Sequence, residues 1–227
     1  MKKYKIDLEK THTQYKLNGK DVPGVTTIIQ DVMRYSYSLV IWGWKEGIAG
    51  RDIKKTKEKA ADIGTITHAF IMCYWSGMEL DTSNLIPDNV AIAENAFLSF
   101  LEWLGKRQIK PLAVEKEMVS KYGYGGTCDL IGIEDDEVCL YDYKSSTGIY
   151  DDHYYQSCGG YLPLAIENGY PITKVRLIHI PKDENIDFGE KIISDPKKIL
   201  YYKRIFRHTL EIYRYKQLLK NGMREKQ

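Results

Sequence analysis

Residues 125–161 read GGTCDLIGIEDDEVCLYDYKSSTGIYDDHYYQSCGGY, and their pattern decides the fold. Two runs rich in β-formers, 127–133 and 138–144, flank the acidic turn Glu134-Asp135-Asp136-Glu137. A turn that closes symmetrically pairs Glu134 with Glu137, Ile133 with Val138 and Ile131 with Leu140, and then sets Asp129 opposite Asp142. Directly opposed residues share a sheet face, roughly 4.5–5.5 Å apart at Cβ. Two carboxylates therefore meet at the end of an apolar face, and Lys144, two residues on, projects from the same face. Adjacent carboxylates repel unless a cation or proton intervenes, and hard oxygen ligands suit magnesium or manganese. The competing reading is a solvated hairpin whose acids face water. The turn lacks Asn-Gly chemistry, and a one-residue slip would separate the acids.

Working outward, residues 151–168 are expected to be a helix capped by Asp151 or Asp152, carrying Gln156 and Tyr161 with Gly159 and Gly160 between them. Five residues turn about 500° on an ideal α-helix, so those two side chains would diverge by roughly 140° unless a π-bulge or glycine irregularity restores the face. Upstream, residues 52–76 read as a helix with Ile63, Ile66, Phe70 and Cys73 on its apolar stripe. His68 shares a second stripe with Gly64, which costs a helix about 1 kcal/mol and implies close approach by another backbone. A further helix over 89–105 is expected to be capped by Asp88. Residues 112–119 alternate with period two, placing Leu112, Val114 and Met118 on one face and Ala113, Glu115, Glu117 and Val119 on the other.

Taken together, Asp129, Asp142-Tyr143-Lys144, Gln156 and Tyr161, with the string Ile63-Gly64-Thr65-Ile66-Thr67-His68 upstream, resemble the PD-(D/E)XK nuclease superfamily, in particular its RecB-like exonuclease branch of phage and mitochondrial type. The resemblance runs from about Val22 to the final helix. It implies an α/β fold with a restriction-endonuclease-like core, a mixed central β-sheet flanked by helices, and a helical N-terminal part. One domain over 1–227 is expected, its motif-bearing core at about 63–194. The resemblance further implies that Asp129, Asp142, His68 and the main-chain carbonyl of Tyr143 hold Mg²⁺ or Mn²⁺. Glu115 is the candidate for a further acidic ligand and Glu117 the lesser one. Lys144 would position a water, assist its deprotonation or stabilise developing charge, and Gln156 would orient Lys144 or the water. The five-residue spacing of Gln156 and Tyr161 departs from the four of the family pattern.

The chain of 227 residues is 43% hydrophobic and 28% charged, ordinary for a soluble globular domain. A net charge of +2 leaves any nucleic-acid surface to a local basic patch, for which Lys197, Lys198, Lys203, Arg204, Arg207 and Arg214 on an expected final helix are candidates. That helix is read from Asp195-Pro196 to about Lys220, with Ile199, Tyr202, Phe206, Leu210 and Tyr213 as its apolar stripe; strands are expected at 174–181 and 190–194. The first 22 residues read as a polar strand or hairpin turning at Asn18-Gly19. Pro23-Gly24 then leads into a helix capped by Thr26 or Thr27, with Trp42 and Trp44 in the core of the next. No apolar leader or membrane-length stretch is present, so a cytoplasmic location is expected (host cytoplasm if phage-encoded), without membrane partners. Cys73, Cys128, Cys139 and Cys158 show no compact metal spacing and are read as reduced, buried thiols, with no iron–sulfur cluster expected.

The activity expected is metal-dependent hydrolysis of DNA from free single-stranded ends. The family's habit is one reason. The other is the low net charge: a channel that threads one strand and stacks bases on tyrosine needs fewer cations than a duplex grip. The alternatives are an endonuclease of the same superfamily and a nuclease-derived protein that binds DNA without cutting it.

Overall fold

The computed structural model describes residues 2–8, 13–33, 37–105, 107–182 and 188–224. Its N-terminal part is helical, as expected. Strand β1 (Lys3–Lys5) precedes a small hairpin, β2 (Tyr15–Leu17) and β3 (Lys20–Val22), which turns on Asn18 and Gly19, both left-handed with φ 51° and 78°. That is the type I′ turn that the Asn-Gly pair favours. Residues 9–12 of the expected N-terminal strand lie outside the described residues. Helices α1 (Val25–Val32), α2 (Tyr37–Ile48) and α3 (Ile53–Ser76) follow, then strand β4 (Glu79–Asp81), parallel to β1, and helix α4 (Pro87–Leu104).

The central sheet runs β5 (Lys110–Ser120), β6 (Tyr124–Glu134), β7 (Glu137–Lys144), β8 (Lys174–His179) and β9 (Gly189–Ile193), in that spatial order. All pairs are antiparallel except β7–β8, so the sheet is mixed. A parallel pair needs a crossover. Helix α5 (Asp151–Tyr154), a π-helical segment over Tyr155–Tyr161 and helix α6 (Leu162–Glu167) supply it. Helix α7 (Pro196–Arg224) ends the described chain. Ile131, Cys158, Leu164 and Phe206 lie in a core between one sheet face and α1, the crossover and α7. Phe100, Leu130, Tyr141 and Tyr143 lie in a second core on the α3–α4 side. The α/β architecture, a mixed sheet flanked by helices, is the expected one.

The deciding hairpin closes as its sequence predicts. Glu134 pairs with Glu137, Ile133 with Val138 and Ile131 with Leu140, across Asp135 and Asp136 at φ 52° and 62°. Aspartate tolerates the left-handed region because its short side chain bonds locally, so Asp-Asp serves where Asn-Gly is commoner. Glu134 is buried rather than solvated: it meets Arg107 at 2.9 Å, Arg176 at 2.8 Å and the Tyr141 hydroxyl at 3.0 Å. This ion network fixes the turn end of the hairpin, opposite the end that carries the aspartates.

Several local expectations need correction. Gly24, not Thr26 or Thr27, is the N-cap of α1; its extended backbone (φ −77°, ψ 157°) also bridges to Gly125, whose N–H donates to Pro23 O at 2.9 Å. Proline at the first position of α4 moves its N-cap back from Asp88 to Ile86. Tyr150, not Asp151 or Asp152, caps α5, because its N–H donates to His153 Nδ1 at 3.1 Å. Trp44 is 63% exposed and outside the core. Asp52 caps α3 by accepting from Lys54 N and Lys55 N. The four cysteines are free and buried, and α7 buries Phe206 and Leu210 while Lys197, Lys198, Arg204, Arg207 and Arg214 stay solvated.

Candidate active site

The alternation of β5 breaks in the middle. Ala113 and Met118 pack into one core and Val114 into the other, so Val114 and Met118 do not share the face that period two predicts. β6 breaks at the matching point, with Cys128 in one core and Leu130 in the other. Glu115 and Asp129 occupy these breaks. Glu115 has φ 44°, a left-handed conformation that is uncommon outside glycine and that clusters at functional sites. The kink aims the Glu115 carboxylate at a point that a regular strand would not reach.

On the other side of β6, the ladder with β7 stops at Leu130↔Tyr141, one pair short of the aspartates. In an antiparallel ladder the next bonded amide would be Tyr143 N. It donates instead to Asp129 Oδ2 at 2.8 Å. The Asp129 side chain thus replaces a backbone acceptor where the strands part, and the Tyr143 peptide lies beside its carboxylate. The Tyr143 ring is buried, accepts a hydrogen bond from Trp75 Nε1 at 3.2 Å and meets the His68 ring edge-on at 6.3 Å.

His68 reaches this point from α3. Its Nδ1 lies 3.6 Å from Asp129 Oδ1. Among the described residues, His68, Glu115 and Asp129 each offer a ligand atom within 4.8 Å of the others. One imidazole nitrogen and two carboxylates form a donor set that fits a divalent first-row metal or magnesium. Glu117 is exposed and outside this group. Gly64, one turn before His68, is approached by side chains and not by backbone: a Cβ there would sit 2.9 Å from Ser145 Oγ and 3.6 Å from Lys182 Nζ.

Asp142 is turned toward the crossover helix. It is buried, and Lys144 Nζ lies 3.0 Å from its Oδ1 and 2.9 Å from its Oδ2. Ser157 Oγ donates to Oδ2 as well. Ser157 is fully buried in the π-helical segment and carries no sequence signal, since its orientation depends on that segment's geometry. An i→i+5 helix closes a turn in about five residues, which brings Gln156 and Tyr161 back toward one face. Gly159 and Gly160 allow it to pack closely: a Cβ on Gly159 would lie 2.7 Å from Tyr202 O, and one on Gly160 2.5 Å from Val25 Cγ1. Both Gln156 and Tyr161 are buried. Gln156 Nε2 donates to Asp152 Oδ2 at 3.4 Å rather than contacting Lys144, and Tyr161 packs against Gly126.

Charge in the cluster is distributed unevenly. Burial opposes a charged His68, but the Asp129 carboxylate overrides it and lifts the imidazole to about 9. Burial likewise works against Asp129, yet the His68 charge holds its carboxyl below the usual range. Burial raises Asp142, against the pull of Lys144, and the Asp129 charge adds to the rise. Burial and then the charge of Asp129 raise Glu115; because this residue is exposed overall, the like-charge contribution is the one its surroundings support. Lys144 is held above the ordinary lysine range, since Asp142 and then Asp129 outweigh the effect of its burial.

No protein-family model and no curated protein sequence matches this chain. Among solved structures, the protein SSO0001 superposes with a TM-score of 0.34 at 17% identity, over 56% of this chain and 61% of that one, so this chain spans less than two thirds of its length. A putative exonuclease from Eubacterium rectale gives 0.43 at 12% identity, over 70% of this chain and 68% of that one. The alkaline exonuclease LHK-Exo from Laribacter hongkongensis gives 0.33 at 12% identity, over 73% and 92%. At scores and identities this low, none transfers a residue's role or a reaction to this chain.

Proposed function

We propose that this chain is a divalent-metal-dependent nuclease of the PD-(D/E)XK, RecB-like type, a single domain that hydrolyses DNA phosphodiester bonds from free, single-stranded ends. The observation that carries the proposal is the convergence of His68, Glu115 and Asp129 on one point, reached by a left-handed Glu115 and a broken ladder, with Lys144 and Asp142 alongside. A solvated hairpin has no use for that arrangement, because each departure from regular strand geometry costs stability. A non-cleaving DNA-binding protein has no use for it either, since acids facing a phosphate oppose binding.

His68, Glu115 and Asp129 would hold the cation, with Asp142 able to join by exchanging its contact with Lys144. When bound, the cation supplies Lewis-acid polarisation of the scissile phosphate and a lowered pKa for attacking water. Lys144 is kept protonated by Asp142, so of the three roles open to it, electrostatic stabilisation of developing negative charge fits best. Ser157 anchors the Asp142 carboxylate. Gln156 holds Asp152, and Tyr161 fills the space over Gly126; both support the wall of the site.

The test is incubation with magnesium and end-labelled linear DNA, single- and double-stranded. Wild type is expected to release labelled nucleotides, and Lys144→Ala to lose at least about 10²-fold in rate, the scale of removing one preorganised charge-stabilising group, while remaining folded. Full activity in that variant would sink the assignment.

A further inference from the structure

A second polar site lies one turn of α3 before His68. Two groups from other parts of the fold pack into the place that a side chain at Gly64 would take: Ser145 Oγ, 2.9 Å from where a Cβ would stand, and Lys182 Nζ, 3.6 Å from it. Ser145 follows Lys144 at the end of β7, and Lys182 comes from the chain after β8. Among the described residues Lys182 donates one hydrogen bond, to Ala60 O at 2.6 Å, which leaves two of its three N–H donors unused by them. Among the described residues no carboxylate pairs with it, and the Ser145 hydroxyl has no hydrogen-bond partner. Partial burial alone pulls the Lys182 ammonium down to about 8. A half-buried cation with no counter-charge among the described residues, drawn beside an unpartnered hydroxyl by a glycine that lets both approach the helix, suits an anion.

We propose that Lys182 and Ser145, brought together at Gly64, bind a backbone phosphodiester of the DNA strand, flanking the bond at the candidate metal centre. The proposal rests on the nuclease reading. The position fits, since Gly64 and His68 are four residues apart on one helix face, about 6 Å along the axis. The charge fits a diester better than a terminal phosphate. One ammonium and one hydroxyl match a single negative charge, whereas a phosphomonoester carries about −1.5 to −2 and calls for more donors. Lys182 would therefore place the strand, and the acids around His68 would act on the neighbouring bond.

The experiment is equilibrium binding of a 3′-fluorescein single-stranded oligonucleotide with a 5′-hydroxyl end to the full chain, in chelator, over a series of salt concentrations. Each phosphate contact to a single strand contributes about −0.7 to the slope of log K against log salt. Lys182→Gln is expected to bind more weakly and to lose about 0.7 of that slope, Lys182→Arg to restore it, and Gly64→Ala to weaken binding by displacing Ser145 and Lys182. A Lys182 that only ties its loop to α3 would lower the melting temperature and leave the slope unchanged, which would overturn the proposal. So would a slope change seen only with a 5′-phosphorylated oligonucleotide. Failure of wild type to bind DNA both in chelator and with Ca²⁺ in its place would remove the nuclease reading itself, whereas binding with an unaltered slope in Lys182→Gln removes only the role given to Lys182 and Ser145.

Discussion

His68 pairs with Asp129 at 3.6 Å, and this would couple binding of the proposed cation to pH. The imidazole, ordinarily near 6.5, is lifted to about 9 by Asp129, so its contribution to stability is complete below 6.5 and is lost as pH rises through 9. Asp129 is lowered, so its share is present above the ordinary carboxylate value and is lost on acidification. A metal ligand must be a neutral imidazole, so binding expels the His68 proton throughout that window. Calorimetric titration with Mn²⁺ is expected to show affinity rising roughly tenfold per pH unit below about 9, and His68→Gln to flatten that dependence. A wild-type affinity that is flat between pH 6.5 and 8.5 would mean that His68 is not a ligand. At this scale the sequence was partly legible. Asp129, Asp142 and Lys144 follow from strand period and hairpin symmetry, and His68 from its motif. What Glu115 does depends on a left-handed φ of 44° at a non-glycine residue, which no side-chain pattern announces. Ser157 depends on helix pitch, and Lys182 on a loop's path.

Among the elements, the β6–β7 hairpin does two jobs at its two ends. The turn end is clamped by Glu134, Arg107, Arg176 and Glu190, with Arg176 Nη1 2.6 Å from Glu190 Oε1. The other end is left to splay. Removing one partner of a buried ion pair leaves an uncompensated charge, worth about 3–5 kcal/mol. Arg176→Leu, which leaves Glu134 and Glu190 to share the more exposed Arg107, is therefore expected to lower unfolding free energy by up to about that much in a urea titration. A loss under about 1 kcal/mol would show the network to be a solvated one. The hairpin register was readable because period two and a symmetric turn over-determine it. The strand breaks at Glu115 and Asp129 were not, since alternation predicts only regular strands. The π-helical segment stood between these cases: a five-residue Gln156–Tyr161 spacing with two glycines signalled an irregularity, but only packing against Tyr202, Phe206 and Val25 selects the wider helix.

At the scale of the molecule, the sheet separates two helical layers, and the site sits at their seam. His68 comes from the α3–α4 side and Ser157 from the crossover on the other. The net charge is only +2, so a duplex would be gripped only where cations gather locally, as on the solvated face of α7. The proposed end-dependent action on single strands needs fewer such contacts. Linear single-stranded DNA is expected to be degraded in magnesium and a covalently closed circle of the same sequence to survive; rapid cutting of the circle would replace this reading with an endonuclease. The most direct measurement of the central claim is anomalous diffraction from crystals grown with Mn²⁺. The predicted result is one peak with a His68 nitrogen and carboxylate oxygens of Glu115 and Asp129 at about 2.1–2.3 Å, beside Lys144. A peak elsewhere, or none at saturating Mn²⁺ with His68 still paired to Asp129, would contradict it.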